Sequence, residues 1–286
     1  SIPLRASLII LIDLPAVAER QLNEMIPMEA RKYIPVPVSE VMLDWWIIPR
    51  RELPPIDQPP PAPGAPTPPP AVEKVEVLMV AIHNSTLAQY RDVVSSAELI
   101  PEAFEIESFS SIRSVFGRDM LPTMILDMGA SSTKITIVDF GIIRVSHVIA
   151  KGGQDITVAL SKSLSVAFGE AEKIKRESGI MGQTGDKNIS QVASPVIEYI
   201  FFEASKVLTT YQKKYKRAIS KTMLIGGGAL LKGLDEIAGR SFEVPVVLGD
   251  PFSKVEAPAY LENVLFGAGP EFAVALGLAL RELQES

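Results

Sequence analysis

Leu126-Asp127-Met128-Gly129-Ala130-Ser131-Ser132-Thr133-Lys134 puts a carboxylate at the end of one β-rich run, a glycine and two serines in a tight turn, and a second β-rich run directly after it. Backbone N–H groups in such a turn cup an anion, and the hydroxyls add donors. Asp127 is placed to hold Mg²⁺ through water, because magnesium keeps several waters and takes one or two carboxylates. The same residues equally describe an ordinary hairpin with a helpful glycine. The turn alone does not separate these readings.

Around this turn, Met124 to Asp127, Thr133 to Asp139 and Ile142 to Ile149 read as three strands joined by short turns, hence an antiparallel meander. Helices are expected from about Gln154 to Leu164, Gly169 to Arg176 and Ile189 to Tyr215. A second glycine feature lies further on, Ile225-Gly226-Gly227-Gly228-Ala229-Leu230-Leu231-Lys232-Gly233-Leu234. There a strand from Thr222 runs into three glycines and a helix to about Ile237, which allows a ligand close to the backbone at a helix start. Neither the Walker A spacing nor the dinucleotide fingerprint is present. A flexible strand-to-helix joint would look the same. Between the two glycine features, Ala171-Glu172-Lys173-Ile174-Lys175-Arg176 sets Glu172 three and four residues from Lys175 and Arg176. By itself that is an exposed ion-pair face worth a few tenths of a kcal/mol. Val244 to Leu248 reads as a last strand, and Pro270 opens a final helix.

The order of these features is more specific than any one of them. A strand–Asp–Gly–Ser/Thr hairpin, then Gly152-Gly153, then Ala-Glu-x-x-Lys-Arg, then strand–Gly-Gly-Gly–helix resembles the second half of an actin-like ATPase. The resemblance implies an α/β fold of the actin-like, ribonuclease H-like kind, with ATP and Mg²⁺ as ligands. It implies that Asp127, Gly129, Ser131, Ser132 and Thr133 face the phosphates, with Asp127 at the metal. Glu172, Lys175 and Arg176 would line ribose and adenine, and Gly226, Gly227 and Gly228 would back the nucleotide.

Within that superfamily the chain resembles the PilM family of type IV pilus assembly proteins. The carrying segments are Met25-Ile-Pro-Met-Glu-Ala-Arg-Lys-Tyr-Ile-Pro-Val-Pro37, Leu43-Asp44-Trp45, Val77-Leu-Met-Val-Ala81, the glycine run at 225–234 and the late apolar helix Ala273–Leu280. The Glu-Ala-x-x-Tyr-Ile-Pro motif is the specific part. The resemblance implies a cytoplasmic adaptor, peripheral at the inner membrane through its partners, that binds the cytoplasmic tail of PilN and relays to other platform or motor proteins. The family's first phosphate loop, Asp-x-Gly-x-x-Ser/Thr, precedes the counterpart of Ser1, so an N-terminal portion is expected to be missing. Alternatives are an FtsA-like cell-division protein, a small-molecule kinase of the same fold, and a protein whose nucleotide is structural or only slowly hydrolysed. The tail Leu280-Arg-Glu-Leu-Gln-Glu-Ser286 carries more acid than base and no aromatic, which disfavours the membrane helix expected of FtsA. No carboxylate stands out as the base a kinase needs.

The resemblance divides the chain into residues 1–15 as part of a first ATPase subdomain, 16–108 as an inserted α/β subdomain, and 109–286 as the second ATPase subdomain with a C-terminal helix returning to the first. Residues 1–12 read as a strand, and within the insert 41–48 reads as a strand and 16–33 as a helical pattern that Pro27 splits in two. Val75 to Ile82 reads as a strand, and Ser85 to Leu99 as a helix capped by Asn84 or Ser85. Phe104 to Ile106 reads as a short strand and Ser110 to Val115 as a helix. Between Pro54 and Pro70, ten of seventeen residues are proline, which predicts an extended polyproline II-like loop over about 53–72.

Composition bounds the rest. The 286 residues carry 28 basic and 34 acidic side chains, a net charge of −6, which argues against nonspecific nucleic-acid binding. With no cysteine and two histidines, thiolate zinc sites, cysteine nucleophiles and most histidine catalysis are excluded. The apolar run Leu8 to Ile12 is far short of the ~20 residues of a membrane span, and no span is expected elsewhere.

Overall fold

A computed structural model of the chain describes residues 1–48, 74–117, 119–184 and 187–285. The proline-rich segment 53–72 lies outside the described residues. Two compact units are present: Ala6–Ile100, and Ser1–Arg5 together with Pro101–Ser286. The first fifteen residues, expected with an ATPase subdomain, therefore divide. Strand β1 (Ser7–Pro15) belongs to the smaller unit because it pairs along its whole length with β3.

The smaller unit is a three-stranded antiparallel sheet in the order β1-β3-β2, with β2 spanning Val41–Ile48 and β3 spanning Lys74–His83. Helix α1 (Glu19–Ala30) covers it and contains Pro27 without splitting. An interior proline costs about 3 kcal/mol. Here Leu22, Ile26 and Ala30, spaced four apart, are all buried in one core with Ile12, Val77 and Met79, and that burial carries the helix past the proline. Helix α2 (Asn84–Ser96) starts at Asn84 with no side-chain cap; the Asn84 amide donates instead to the Ser39 carbonyl at 3.0 Å.

The larger unit opens with Ile2, which makes one parallel bridge with Ile106, the only β-structure found where a short strand was expected. Helix α3 (Glu107–Val115) begins three residues earlier than its apolar pattern implies. The meander follows as expected: β4 (Thr123–Met128), β5 (Thr133–Asp139) and β6 (Ile142–Ile149). Helices α4 (Gly153–Leu164) and α5 (Phe168–Ser178) lead through a two-residue hairpin of β7 (Gln183–Thr184) and β8 (Lys187–Asn188) to the long α6 (Ile189–Tyr215). Strand β9 (Lys221–Ile225) ends in the glycine run. The helix expected directly after it is a short 3-10 turn, Gly227–Leu230, and α7 (Leu234–Phe242) starts only after Gly233 at φ 85°. Strand β10 (Val246–Leu248), α8 (Glu262–Ala268) and α9 (Ala273–Glu285) complete the unit.

The five-stranded sheet has the order β10-β9-β4-β5-β6. Strand β4 is antiparallel to β5 and parallel to β9, with Asp127 opposite both Lys134 and Ile225. Its core is built from Met124, Leu126, Ile135 and Ile137 of the sheet against Ile156 and Leu160 of α4 and one face of α6, Ile189 through Tyr211. On α3 and α9, Gly277 approaches so closely that a Cβ there would meet the Ser110 carbonyl oxygen at 1.8 Å. Arg113 clamps the same crossing, donating to Glu105 at 2.6 and 2.7 Å and to the Gly277 carbonyl at 2.9 Å. Contrary to expectation, one stretch among the described residues, Ala259–Leu283, is long and apolar enough to cross a membrane by length and composition. It is interrupted by Gly269-Pro270, and its α9 part makes the close crossing at Ser110.

Candidate functional site

Because β4 and β9 are adjacent and parallel, the chain leaves both at the same edge of the sheet. Ligands of open α/β sheets bind at such carboxyl ends. The two glycine features therefore meet in space although 97 positions separate Gly129 from Gly226 in sequence. A cavity of about 580 Å³ opens there, lined by Gly129 and Ala130 after β4, Gly227 and Gly228 after β9, and Glu172, Lys175 and Arg176 of α5. Gly153, Gln154, Phe168, Leu231 and Glu271 add to the wall. Its volume is that of an ordinary small-molecule site.

The close packing at this edge explains the glycines. At Gly226, φ is 81° with ψ at 166°, a region essentially restricted to glycine. A Cβ there would lie 2.5 Å from Asp127 Oδ1. A Cβ on Gly152 would meet the carbonyl oxygens of Gly129 and Ala130 at 2.5 Å. Those two carbonyls accept from the Gly153 and Gln154 amides at 2.9 and 2.8 Å, so the turn is tied to the start of α4. The Gly152 amide is taken by the Asp155 carboxylate at 3.0 Å.

On the far wall, Lys175 Nζ donates to Glu172 Oε2 at 2.7 Å, Thr157 Oγ1 at 2.9 Å and the Gly153 carbonyl at 3.0 Å. Arg176 Nε donates to Glu172 Oε1 at 2.8 Å. Burial pulls the Glu172 carboxyl up, but the hydrogen bonds from Lys175, Thr157 and Arg176 outweigh it and hold its pKa at about 2. Sequence reasoning placed this trio correctly on one helix but missed Thr157, which no local pattern marks.

Of the residues expected at the phosphates, only Gly129 lines the cavity. Ser131 is exposed, and the Ser132 carbonyl accepts the Gly129 amide at 3.0 Å. Thr133 is buried and spends its one hydroxyl proton on the Lys151 carbonyl at 2.9 Å, so it has none to donate to a phosphate. Asp127 and Gly226 stand directly behind the lining. Asp127 Oδ2 accepts from Lys134 Nζ at 3.1 Å, and Lys134 also reaches Glu107 Oε2 at 3.1 Å. Burial pushes the Asp127 carboxyl above its ordinary range against the pull of Lys134. For Lys134, burial lowers the ammonium, but Asp127 and Glu107 together outweigh it and raise it.

A magnesium ion bound through Asp127 does not fit this donor set. Lys134 stands between the two carboxylates, and the other Glu107 oxygen accepts the Leu4 amide at 2.7 Å. No group of three metal-ligating side chains exists among the described residues. Lys134 and Glu107 were both missed. The first was legible, because a turn closing between Met128 and Thr133 pairs Asp127 with Lys134.

The sequence profile of the family described as type IV pilus assembly protein PilM matches residues 3–283. The chain belongs to the PilM family. A solved PilM–PilN type IV pilus biogenesis complex superposes with a TM-score of 0.77 and 25% identity, over 96% of this chain and 76% of that one. The actin-like fold is shared with the ethanolamine utilization protein EutJ of Carboxydothermus hydrogenoformans (TM-score 0.50, 22% identity, 69% of this chain and 61% of that one). It is shared too with MreB5 of Spiroplasma citri bound to ADP (TM-score 0.53, 13% identity, 71% and 67%). In sequence, the cell division protein FtsA of Neisseria meningitidis serogroup B is 30% identical over 179 residues, 55% of this chain and 42% of that protein. The chain spans about half the length of the curated relatives it matches, 42% to 54%. It is thus an actin-like protein of a type IV pilus assembly family.

Proposed function

We propose that this chain is a nucleotide-binding adaptor of the type IV pilus inner-membrane platform, holding ATP or ADP in the cavity of the larger unit and binding the cytoplasmic segment of PilN. One observation carries the nucleotide reading: two glycine loops leave the carboxyl ends of the parallel strands β4 and β9 and face the Glu172–Lys175–Arg176 wall across a single cavity. Phosphates would approach the Gly129–Ala130 backbone, and the base would lie between Phe168, Arg176 and Leu231. Magnesium accompanying the nucleotide would be held by phosphate and water, given the donor set at Asp127. The PilN reading rests on family membership and on the solved complex of a relative. Residues 109–286 act here as the second ATPase subdomain, and the platform partners keep the chain at the cytoplasmic face of the membrane.

The test is calorimetry of ATP and ADP binding to the wild type and to Gly227→Asp. Gly227 has no positive φ, and a side chain there meets only the flexible Glu271 carboxylate at 3.2 Å, so folding is preserved while a negative charge enters the cavity. Saturable binding by the wild type and its loss in Gly227→Asp are expected. Wild type that binds neither nucleotide would overturn the assignment. For PilN, a synthetic peptide of its cytoplasmic segment should bind the chain with unit stoichiometry, and a scrambled peptide should not.

A further inference from the structure

The cluster behind the cavity wall holds two carboxylates and one ammonium within contact distance. Lys134 Nζ lies 3.1 Å from Asp127 Oδ2 and 3.1 Å from Glu107 Oε2. All three side chains are largely buried, at 18%, 13% and 12% exposure. They come from three elements: Asp127 is next to last on β4, Lys134 is second on β5 directly opposite it, and Glu107 opens α3. The site abuts the nucleotide cavity, since the Cβ position of Gly129, a lining residue, is 3.9 Å from Lys134 Nζ.

A divalent ion at this place would need oxygen ligands in a near-octahedral shell at about 2.0–2.1 Å, most of them water. Room for that shell is lacking. Gly226 closes on Asp127 Oδ1, Leu4 N–H occupies Glu107 Oε1, and the ammonium fills the space between the remaining two oxygens. A lysine ammonium is a compact point charge with three donors, suited to bridging two carboxylates without a coordination sphere. The hairpin register fixes it there: Met128 pairs with Thr133 and Asp127 with Lys134, so the amine cannot shift by one residue without moving to the other face of the sheet.

We propose that the Lys134 ammonium is the resident counter-cation of the Asp127–Glu107 pair, filling the position of a protein-bound divalent ion, so that this chain binds nucleotide without requiring one. The second half of this statement rests on the nucleotide reading above; the first half does not.

Two measurements on the full chain test the halves separately. In the first, Mn²⁺ is titrated into nucleotide-free protein and free Mn²⁺ is followed by electron paramagnetic resonance. Wild type should leave the signal unchanged in the micromolar range. Lys134→Met should remove about one equivalent, Lys134→Met with Glu107→Gln should lose that site again, and Lys134→Arg should behave as wild type. Tight Mn²⁺ binding by the wild type overturns the proposal, and so does a folded Lys134→Met that gains no site. Should Lys134→Met not fold, Lys134→Gln takes its place, while the wild-type titration decides independently. In the second, ATP affinity is measured by calorimetry in excess Mg²⁺ and in EDTA. Wild type should differ by less than about threefold, which is under 1 kcal/mol, and Lys134→Met by about tenfold or more. A tenfold fall for the wild type in EDTA overturns the second half. If no form binds ATP at all, the nucleotide reading fails and with it the second half, while the Mn²⁺ result still stands on its own.

Discussion

Gly226 holds its backbone against Asp127 so tightly that a Cβ would sit 2.5 Å from the carboxylate oxygen Oδ1 and 2.7 Å from the Met128 carbonyl oxygen. The contact joins the ends of β9 and β4 and fixes the carboxylate that pairs with Lys134. Two penalties add for Gly226→Ala: a backbone conformation that only glycine adopts readily, about 1–3 kcal/mol, and overpacking of similar size. A loss of about 2–6 kcal/mol is expected in denaturant unfolding. Gly227→Ala, one residue on, meets only the end of Glu271 and should be near neutral. Equal stability of the two variants would refute the claim that close approach, and not mere flexibility, explains this glycine run.

A second glycine tests the crossing of α3 and α9. Gly277 on α9 crosses α3 with its Cβ position 1.8 Å from the Ser110 carbonyl oxygen, and its own carbonyl accepts from Arg113. Any side chain must push the helices apart and stretch the Arg113–Glu105 clamp. Gly277→Ala should lower stability by about 2–4 kcal/mol, more than the gain of a few tenths to 1 kcal/mol that an alanine brings to a helix interior. Urea melts of wild type and variant decide it, and an unchanged midpoint would show that α9 does not need this contact.

These glycines also mark how much was legible in the sequence. The meander and the Glu172 helix were read correctly because each rests on local spacing, whereas the helix expected directly after the second glycine loop begins only at Leu234; the chain order of these features pointed to the actin-like fold. That β4 and β9 are adjacent and parallel is a topological fact that no local spacing carries. Pro27 was read as a break because its local cost is large, and the burial of Ile26 and Ala30 that outweighs it lies across the smaller unit's core. Asn84 looked like a cap, but its amide finds Ser39, 45 residues away. Glu107 was passed over because it precedes the apolar pattern of α3, and its partners Leu4 and Lys134 are distant in sequence. Thr133 illustrates the converse: its type fits a phosphate loop, yet its proton is committed to Lys151.

At the opposite end of β5, Tyr211 of α6 donates to Asp139 Oδ2 at 2.8 Å, and the Arg217 side chain lies 3.1 Å from the same oxygen. Tyr211 is fully buried, and burial together with the Asp139 carboxylate pushes its hydroxyl above the ordinary tyrosine pKa. Tyr211→Phe keeps the packing and removes one donor from a buried carboxylate. The expected cost is about 1–3 kcal/mol. Neither residue lines the cavity, so nucleotide affinity should not change. A variant that melts with wild type would mean that Arg217 alone suffices for Asp139.

Glu172 offers a pH test with a definite sign. Its folded pKa is about 2 against an ordinary 4.5, so the carboxylate's contribution is full above pH 4.5 and fades as pH falls towards 2. A shift of that size corresponds to at most about 3 kcal/mol, and since 28% of the side chain is exposed, solvent screening reduces it to about 1–2 kcal/mol. Glu172→Gln should therefore be less stable than wild type by that amount at neutral pH, and the gap should close as the medium is acidified through the 4.5-to-2 window. The glutamine keeps one acceptor for Lys175 or Thr157 but loses the charge that holds Arg176 at the cavity wall. Stability measured by urea unfolding at several pH values separates the two effects. A gap independent of pH would assign the loss to packing, and no gap at neutral pH would mean that the Lys175–Glu172–Arg176 cluster adds nothing to the fold.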